Sequence, residues 1–296
     1  MRVAVTGSNG QLGSDVIKML KLAGHEVIGY DLVPGLESIE LDITDQAKVI
    51  HAIASAKPDA IVHCAAWTDV DKAELTENSY NVRMLNDAGT RYICEAAKLV
   101  DAKLVYISTD YVFNGRGTKA WKPESEPDPL NYYGKTKLFG EQNVSRILDK
   151  FFIVRTSWVF GINGKNFVKT MIDAGKSHTS VRVVYDQIGT PTYTVDLAKL
   201  IVEMIETDKY GYYHATNGGG FTSWYDFCRE IYKQYGLNTT ITPVSTIEYG
   251  FSLAKRPYNS RLDKSKLTEC GFSMMPDWKD ALSRYLKEAR SVWGSK

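Results

Sequence analysis

One segment constrains the fold more than any other: Thr6-Gly7-Ser8-Asn9-Gly10-Gln11-Leu12-Gly13. It follows directly on the apolar run Val3–Thr6 and opens a stretch in which Leu12, Val16, Met19, Leu20 and Ala23 recur at helical spacing before Gly24. A strand feeding a glycine turn that becomes a helix is the phosphate-cradling unit of a dinucleotide-binding fold. Gly7 permits the tight turn, Gly10 lets the backbone approach a pyrophosphate, and Gly13 lets helix and sheet pack closely. Asp31 closes the second strand, roughly 20 residues after the loop, where a carboxylate can hold the adenosine ribose hydroxyls and disfavour a 2′-phosphate.

The rest of the first half repeats this rhythm. Strands are expected at Glu26–Tyr30, Ser38–Leu41, Ala60–Cys64, Lys103–Ile107 and Phe151–Val154, and helices at Asp45–Ala56 and Asn78–Val100. Such alternation implies an α/β, doubly wound Rossmann-type parallel sheet covered on both faces. Asp42 and Ile43 then fall beside the adenine, and Ala65 and Ala66 leave room for the cofactor backbone. Beyond Arg155 the rhythm loosens. Helices are expected at 163–175, 194–207, 223–236 and 277–290, with short strands near 181–185 and 212–215. We therefore expect a dinucleotide-binding domain over 1–154, elements returning to it near 186–215, and a smaller α/β substrate-binding domain over most of 155–296.

Composition excludes several function classes. The 36 basic and 35 acidic residues nearly cancel, so no global field favours nucleic acid or an anionic membrane. No apolar run approaches the roughly 18 residues of a membrane span. The N-terminus has no signal-peptide pattern, and Cys64, Cys94, Cys228 and Cys270 form no CxxC pair, so a cytoplasmic protein without disulfides is expected. His25, His51, His63, His178 and His214 lack metal-ligand spacing, and His63 reads as a buried strand end. Gly134-Lys135-Thr136 mimics the end of a P-loop, but Pro129 occupies the position of its first glycine.

Chemistry enters with Tyr133-Gly134-Lys135-Thr136-Lys137, which sets Tyr133 and Lys137 one helical turn apart on one face. An ammonium there would favour the phenolate and bring a tyrosine pKa of about 10 nearer the working range. The spacing alone is easily met by chance; position adds weight. The fifth strand runs into Ser108-Thr109-Asp110-Tyr111, and in an open α/β sheet chemistry gathers at the carboxyl ends of strands. Ser108 or Thr109 could donate to a substrate carbonyl. The sixth strand runs into Arg155-Thr156-Ser157-Trp158, offering an anion-binding fork and a flat wall.

TGxxGxxG, STDYVF and YGKTK, in this order, resemble the extended short-chain dehydrogenase/reductases. The strings GSNGQLG, CAAWTDVDKAE, YGKTKLFGE, RTSWVFG, DQIGTPT and RPYNSRLD are similar to those of the branch that reduces a dTDP-linked 4-keto-6-deoxy sugar, dTDP-4-dehydro-L-rhamnose, to dTDP-L-rhamnose. The resemblance runs from residue 1 to about 290. It implies Tyr133 as proton donor to the C4 oxygen, Lys137 as cofactor ligand and tuner of Tyr133, and Thr109 as partner of the keto oxygen. Asp110 and Trp158 would contact the sugar or nucleotide, and Arg256 and Asn259 would close on the nucleotide. Gly10, Gln11, Leu12, Asp31, Asp42, Ile43, Ala65, Ala66 and Trp67 would line NADPH or NADH; the family uses both, so Asp31 does not decide between them. Where some relatives hold a metal between subunits, this chain has Asp15 in place of Glu and Val195 in place of a carboxylate, so no metal is expected; a homodimer is the assembly the resemblance allows. Two alternatives stand beside this reading: a nucleotide-sugar epimerase or dehydratase of the same family, and a non-enzymatic NADP-binding regulatory subunit.

Overall fold

The computed structural model describes residues 1–35 and 38–293. Its first half comprises β1 (Arg2–Thr6), α1 (Gln11–Leu22), β2 (Glu26–Asp31), β3 (Ser38–Glu40), α2 (Gln46–Ala56), β4 (Ala60–His63), α3 (Val70–Ala73), α4 (Ser79–Arg83), α5 (Thr90–Leu99), β5 (Lys103–Thr109), α6 (Tyr132–Ile147) and β6 (Phe151–Thr156). The second half adds β7 (Val159–Phe160), α7 (Phe167–Ser177), β8 (Ser180–Val184), β9 (Ile188–Gly189), β10 (Thr192–Tyr193), α8 (Thr194–Ile205), β11 (Gly211–His214), β12 (Thr222–Ser223), α9 (Trp224–Tyr235), β13 (Thr240–Val244), α10 (Thr246–Tyr249), α11 (Ser265–Glu269) and α12 (Trp278–Trp293).

Seven parallel strands form the main sheet in the order β3-β2-β1-β4-β5-β6-β11. Successive side chains of a strand point to opposite faces, and the burial follows that period. Val3 and Val5 of β1 pack with Val62, Val105 and Val154 under α1 and α8, through Leu12, Val16, Leu20, Leu197 and Ile201. Ala4, Ile61, Leu104, Tyr106 and Ile153 face the opposite layer, where Val49, Ile53, Ile93, Ala97 and Val144 of α2, α5 and α6 cover them. Burial on both faces explains why these strands read as continuous apolar runs. The chain order reverses between β1 and β4, which opens the crevice at their carboxyl ends.

The elements expected to return do so. β11 extends the sheet beside β6, with Gly211 opposite Phe152 and His214 opposite Arg155, and α8 lies along α1. A separate core, built on Phe160, Phe227, Ile231, Trp278, Leu282 and Tyr285, holds α7, α9 and α12 together. One expectation needs refining: the backbone over Asn78–Val100 is helical as expected, but it is not uniformly α. It begins as a 3-10 turn and α4, passes through a π-helical segment over Met84–Gly89, and only then becomes α5. Tertiary contacts accompany the π segment. Asn86 leaves the regular helical row to bond the chain at Trp67, and a side chain at Gly89 would meet Ile43 Cδ1 at 3.0 Å.

Candidate active site

The site begins at the glycine loop. Gly7 adopts φ +66°, and a Cβ there would stand 2.6 Å from the Ala65 backbone nitrogen. At Gly13 a Cβ would overlap the Gly7 carbonyl. The first turn of α1 therefore sits directly on the loop, and Gly10 caps the helix without any side-chain acceptor. An uncapped helix N-terminus beside an open backbone fits a pyrophosphate. Asp31 shapes the same loop: its Oδ2 accepts from the Asn9 N–H at 2.9 Å and its Oδ1 from the Val33 N–H at 3.3 Å. Asp42 turns inward on Thr44, accepting from its N–H at 2.9 Å and its hydroxyl at 2.7 Å. Trp67 bonds through its backbone to Asn86, while its indole N–H donates to the Asp69 carbonyl at 2.9 Å.

Gln11 points its side chain away from the loop. Its Oε1 accepts from Asn166 Nδ2 at 2.9 Å and its Nε2 donates to the Val159 carbonyl at 3.3 Å, tying α1 to the second half. A contact between Gln11 and a dinucleotide in this conformation would therefore fall to its backbone. These features fit a bound dinucleotide, which would supply or accept hydride at its nicotinamide ring.

At the carboxyl end of β5, α6 brings the second set of groups. Asn131 caps α6 by accepting from the Gly134 N–H at 2.8 Å, while its amide donates to the Lys255 carbonyl at 2.9 Å. A Cβ at Gly134 would overlap the Tyr111 carbonyl, so the glycine lets α6 approach the loop after β5. That approach sets the Tyr133 ring edge-on to Tyr111, 5.9 Å between centroids, with its phenol close to Thr109. Burial pushes the Tyr133 phenol well above the usual tyrosine range, with the Thr109 hydroxyl opposing and Asp110 and Tyr111 reinforcing the shift. The expected pull from Lys137 is not among these influences. Lys137 is itself buried, with its ammonium 4.1 Å from the Tyr106 ring centre; burial brings it down to about 7, against the pull of Glu141. The structure thus holds Tyr133 in its proton-bearing form.

Arg155 is not a free fork for a ligand. It forms a buried bidentate pair with Glu141, Nε to Oε1 at 2.8 Å and Nη2 to Oε2 at 2.7 Å, and donates to the Pro123 carbonyl. Ser108 is spent on the same carboxylate at 2.5 Å, which leaves Thr109 as the hydroxyl for a substrate. Arg256 pairs with Asp71 at 2.5 Å and reaches Tyr111 Oη at 3.3 Å, so any nucleotide contact it makes must compete with Asp71. Asn259 departs further from expectation. Its amide donates to the Arg116 and Lys119 carbonyls, and its oxygen accepts from Arg261, so the side chain braces the loop around Trp121. Trp158 adopts φ +51° and stacks on Trp224 with centroids 3.7 Å apart, forming a flat aromatic surface. Its neighbour Gly189 is close enough that a Cβ would meet the indole at 2.8 Å.

His63 reads as expected. Its Nδ1 lies 2.6 Å from Thr6 Oγ1 and its Nε2 lies 3.2 Å from Thr90 Oγ1. Because Thr90 gives its own proton to the Asn86 carbonyl, the Nε2–H tautomer satisfies both ends. Asp15 is engaged by the Thr194 hydroxyl at 2.5 Å, and among the described residues no group of three potential ligands gathers around a metal position.

Sequence reasoning missed Asn86, Asp71, Asn131 and Glu141 as organisers of the site. Glu141 alone carried a signal: it lies one turn beyond Lys137 on the α6 face that bears Tyr133.

A parallel sheet with a glycine loop after its first strand, Thr109 at the carboxyl end of β5 and Tyr133 and Lys137 on one face of α6 has the form of an extended short-chain dehydrogenase/reductase. Comparison narrows the class: the family model described as RmlD substrate binding domain matches residues 1–291, and the chain belongs to that family. It is 39% identical, over 98% of its length and 99% of the relative's, to a spore coat polysaccharide biosynthesis protein of Bacillus subtilis (strain 168). It is 40% identical to a dTDP-4-dehydrorhamnose reductase of Aggregatibacter actinomycetemcomitans, covering 95% of this chain and 97% of that one. The crystal structure of dTDP-4-dehydrorhamnose reductase from Bacillus anthracis in complex with NADP superimposes with a TM-score of 0.91 at 41% identity, covering 97% of this chain and 99% of that one.

Proposed function

We propose that this chain reduces the C4 keto group of dTDP-4-dehydro-L-rhamnose with NADPH or NADH, giving dTDP-L-rhamnose for polysaccharide synthesis. The observation that carries the proposal is the placement of Tyr133, by the close approach of α6 to the loop after β5, beside Thr109 at the crevice of the main sheet. The glycine loop and Asp31 hold the dinucleotide, and Ala65 and Ala66 leave space for its backbone. Thr109 donates to the keto oxygen and orients it against Tyr133. As hydride reaches C4, negative charge develops on that oxygen, and the Tyr133 hydroxyl delivers the proton that makes the alcohol. Lys137, beneath Tyr133 on the same face of α6, holds the nicotinamide ribose. Trp158 stacked on Trp224 offers a wall for the sugar nucleotide, and Arg256 exchanges Asp71 for a substrate phosphate. Residues 1–154 with β11 and α8 form the cofactor domain, and the remainder of 155–296 forms the substrate domain.

The test is absorbance at 340 nm with the 4-keto substrate generated in situ and each dinucleotide supplied separately. Stoichiometric oxidation with formation of dTDP-rhamnose is expected. Dinucleotide binding without oxidation would reject the reductase and favour the epimerase or regulatory alternative.

A further inference from the structure

Resting on the reduction proposed above, we infer that Asp110 is a positioning residue that works in its neutral form. Its carboxyl proton is donated to Thr109 Oγ1, which turns the Thr109 hydrogen outward to the substrate's keto oxygen.

The inference starts from how few hydrogens the Thr109 hydroxyl commands. Thr109 Oγ1 accepts from the Tyr111 N–H at 3.2 Å and also contacts Asp110 Oδ1 at 3.2 Å and Tyr133. A hydroxyl has one hydrogen to give. If Asp110 is ionised it accepts only, so the carboxylate competes with a keto oxygen for that single hydrogen. If Asp110 carries a proton on Oδ1, the direction of the same contact reverses. Thr109 then receives at its lone pair and is free to donate elsewhere.

Geometry favours the neutral form. Asp110 is 3% exposed, and its Oδ2 is buried without a hydrogen-bond partner. Ser260 faces the carboxyl but completes no hydrogen bond to Oδ2, and a carboxylate so poorly served is costly, whereas a carboxylic acid there loses far less. Facing Asp110 are Thr109 and Tyr111 from its own loop, Tyr133 from α6, and Ser260 from the late segment. The influences that favour its charged form are the Ser260 and Thr109 hydroxyls and its own backbone N–H, with no cation among them. Arg256, the cation beside Tyr111, is committed to Asp71, Ser252 and Tyr111. Burial accordingly brings the Asp110 carboxyl up to about 7. Ionisation would also place a negative charge beside the alkoxide that forms during reduction. Both effects act against turnover as pH rises.

Asp110→Asn separates this from a purely structural role, because its amide keeps a donor toward Thr109 at every pH. The ratio of wild-type to Asp110→Asn kcat/KM should fall about tenfold between about pH 6 and pH 8.5. Any limb owed to Lys137 is common to both proteins and cancels in the ratio. Asp110→Ala, with no donor, should lose about 10²-fold, while Asp110→Asn stays within about tenfold of wild type at low pH. A ratio that does not change with pH, or an alanine variant as active as the asparagine one, would overturn the inference. Carbon-13 NMR of aspartate-labelled protein needs no substrate. The resonance lost in Asp110→Asn should titrate near 7 in the wild-type protein, and a midpoint near the ordinary carboxylate value of about 4 would equally overturn it. Wild-type protein that oxidises neither dinucleotide would instead reject the reduction itself, a result separable from the titration.

Discussion

Tyr133 and Lys137 share one face of α6 but answer opposite demands. Burial keeps the phenol protonated, which suits a group that must give a proton away. Tyr133→Phe keeps the ring in place and deletes the donor. Turnover should fall by about 10²-fold or more with dinucleotide affinity largely kept, by 340 nm kinetics and fluorescence titration. Near-normal turnover would remove Tyr133 from the chemistry. Lys137 bears a stability cost for its position. It titrates at about 7 in the folded chain, against about 10.4 for a lysine in water. Between those values the unfolded chain binds more protons, so stability rises with pH; the cost is complete below about pH 7 and eases above it. Lys137→Met should therefore raise the Tm of the dinucleotide-free protein, more at pH 6 than at pH 9, while losing activity. A lowered Tm at both pH values would show that the contact with the Tyr106 ring outweighs desolvation. Asp31 is a loop organiser as well as a candidate ribose ligand, since it accepts from the Asn9 and Val33 N–H groups. Asp31→Ala should weaken both dinucleotides yet shift the NADPH-to-NADH kcat/KM ratio toward NADPH. An unchanged ratio would confine Asp31 to loop structure.

At the scale of elements, α6 and β6 are riveted by one buried ion pair. Glu141 accepts both Arg155 nitrogens and the Ser108 hydroxyl, and both charged side chains are almost fully buried. Glu141→Ala would strand a guanidinium in the interior. The expected loss is about 3–5 kcal/mol in urea unfolding, the range for breaking one half of a buried pair. A loss under about 1 kcal/mol would mean that water or the Pro123 carbonyl suffices for Arg155. This pair also marks the limit of what could be read from the chain. The main-sheet strands, α1, α2 and α12 follow from apolar periodicity and turn residues, because those signals are local; the short pairs around β7, β9, β10 and β12, and β13 beside β8, carried no such signal. Thr109, Tyr133 and Lys137 were legible because strand-end position and helical spacing are local too. Arg155 was misread as a ligand fork because its partner lies on a different element. The π segment over Met84–Gly89 was invisible for the same reason: the groups that meet the helix there, Trp67 and Ile43, are brought in by the fold. Asn259 resembled a ligand by motif, yet its amide is consumed by carbonyls at Arg116 and Lys119.

On the scale of the molecule, the main sheet and its helical cover are not contiguous in the chain. The sheet gains its last strand, β11, from residues 211–214, and α1 is covered by α8 from residues 194–205. Thr194 bonds Asp15 on α1, and Gln11 bonds Asn166, so the second half also pins the glycine-loop helix in place. A fragment ending at residue 154 would leave the β6 edge unpaired and strip the cover from Val16 and Leu20, exposing an apolar face of a parallel sheet. We expect residues 1–154 expressed alone to aggregate, and residues 1–216 to gain solubility and dispersed amide NMR signals, because they restore α8 and β11. A soluble 1–154 fragment that binds NADPH with the affinity of the whole chain would show that the sheet closes without its returning elements. The return of β11 has a mechanistic side. It sets His214 and the chain beyond it next to Arg155, alongside the strand end that carries Thr109, so under the proposed function a substrate held by the second half would meet the dinucleotide at an edge both halves build.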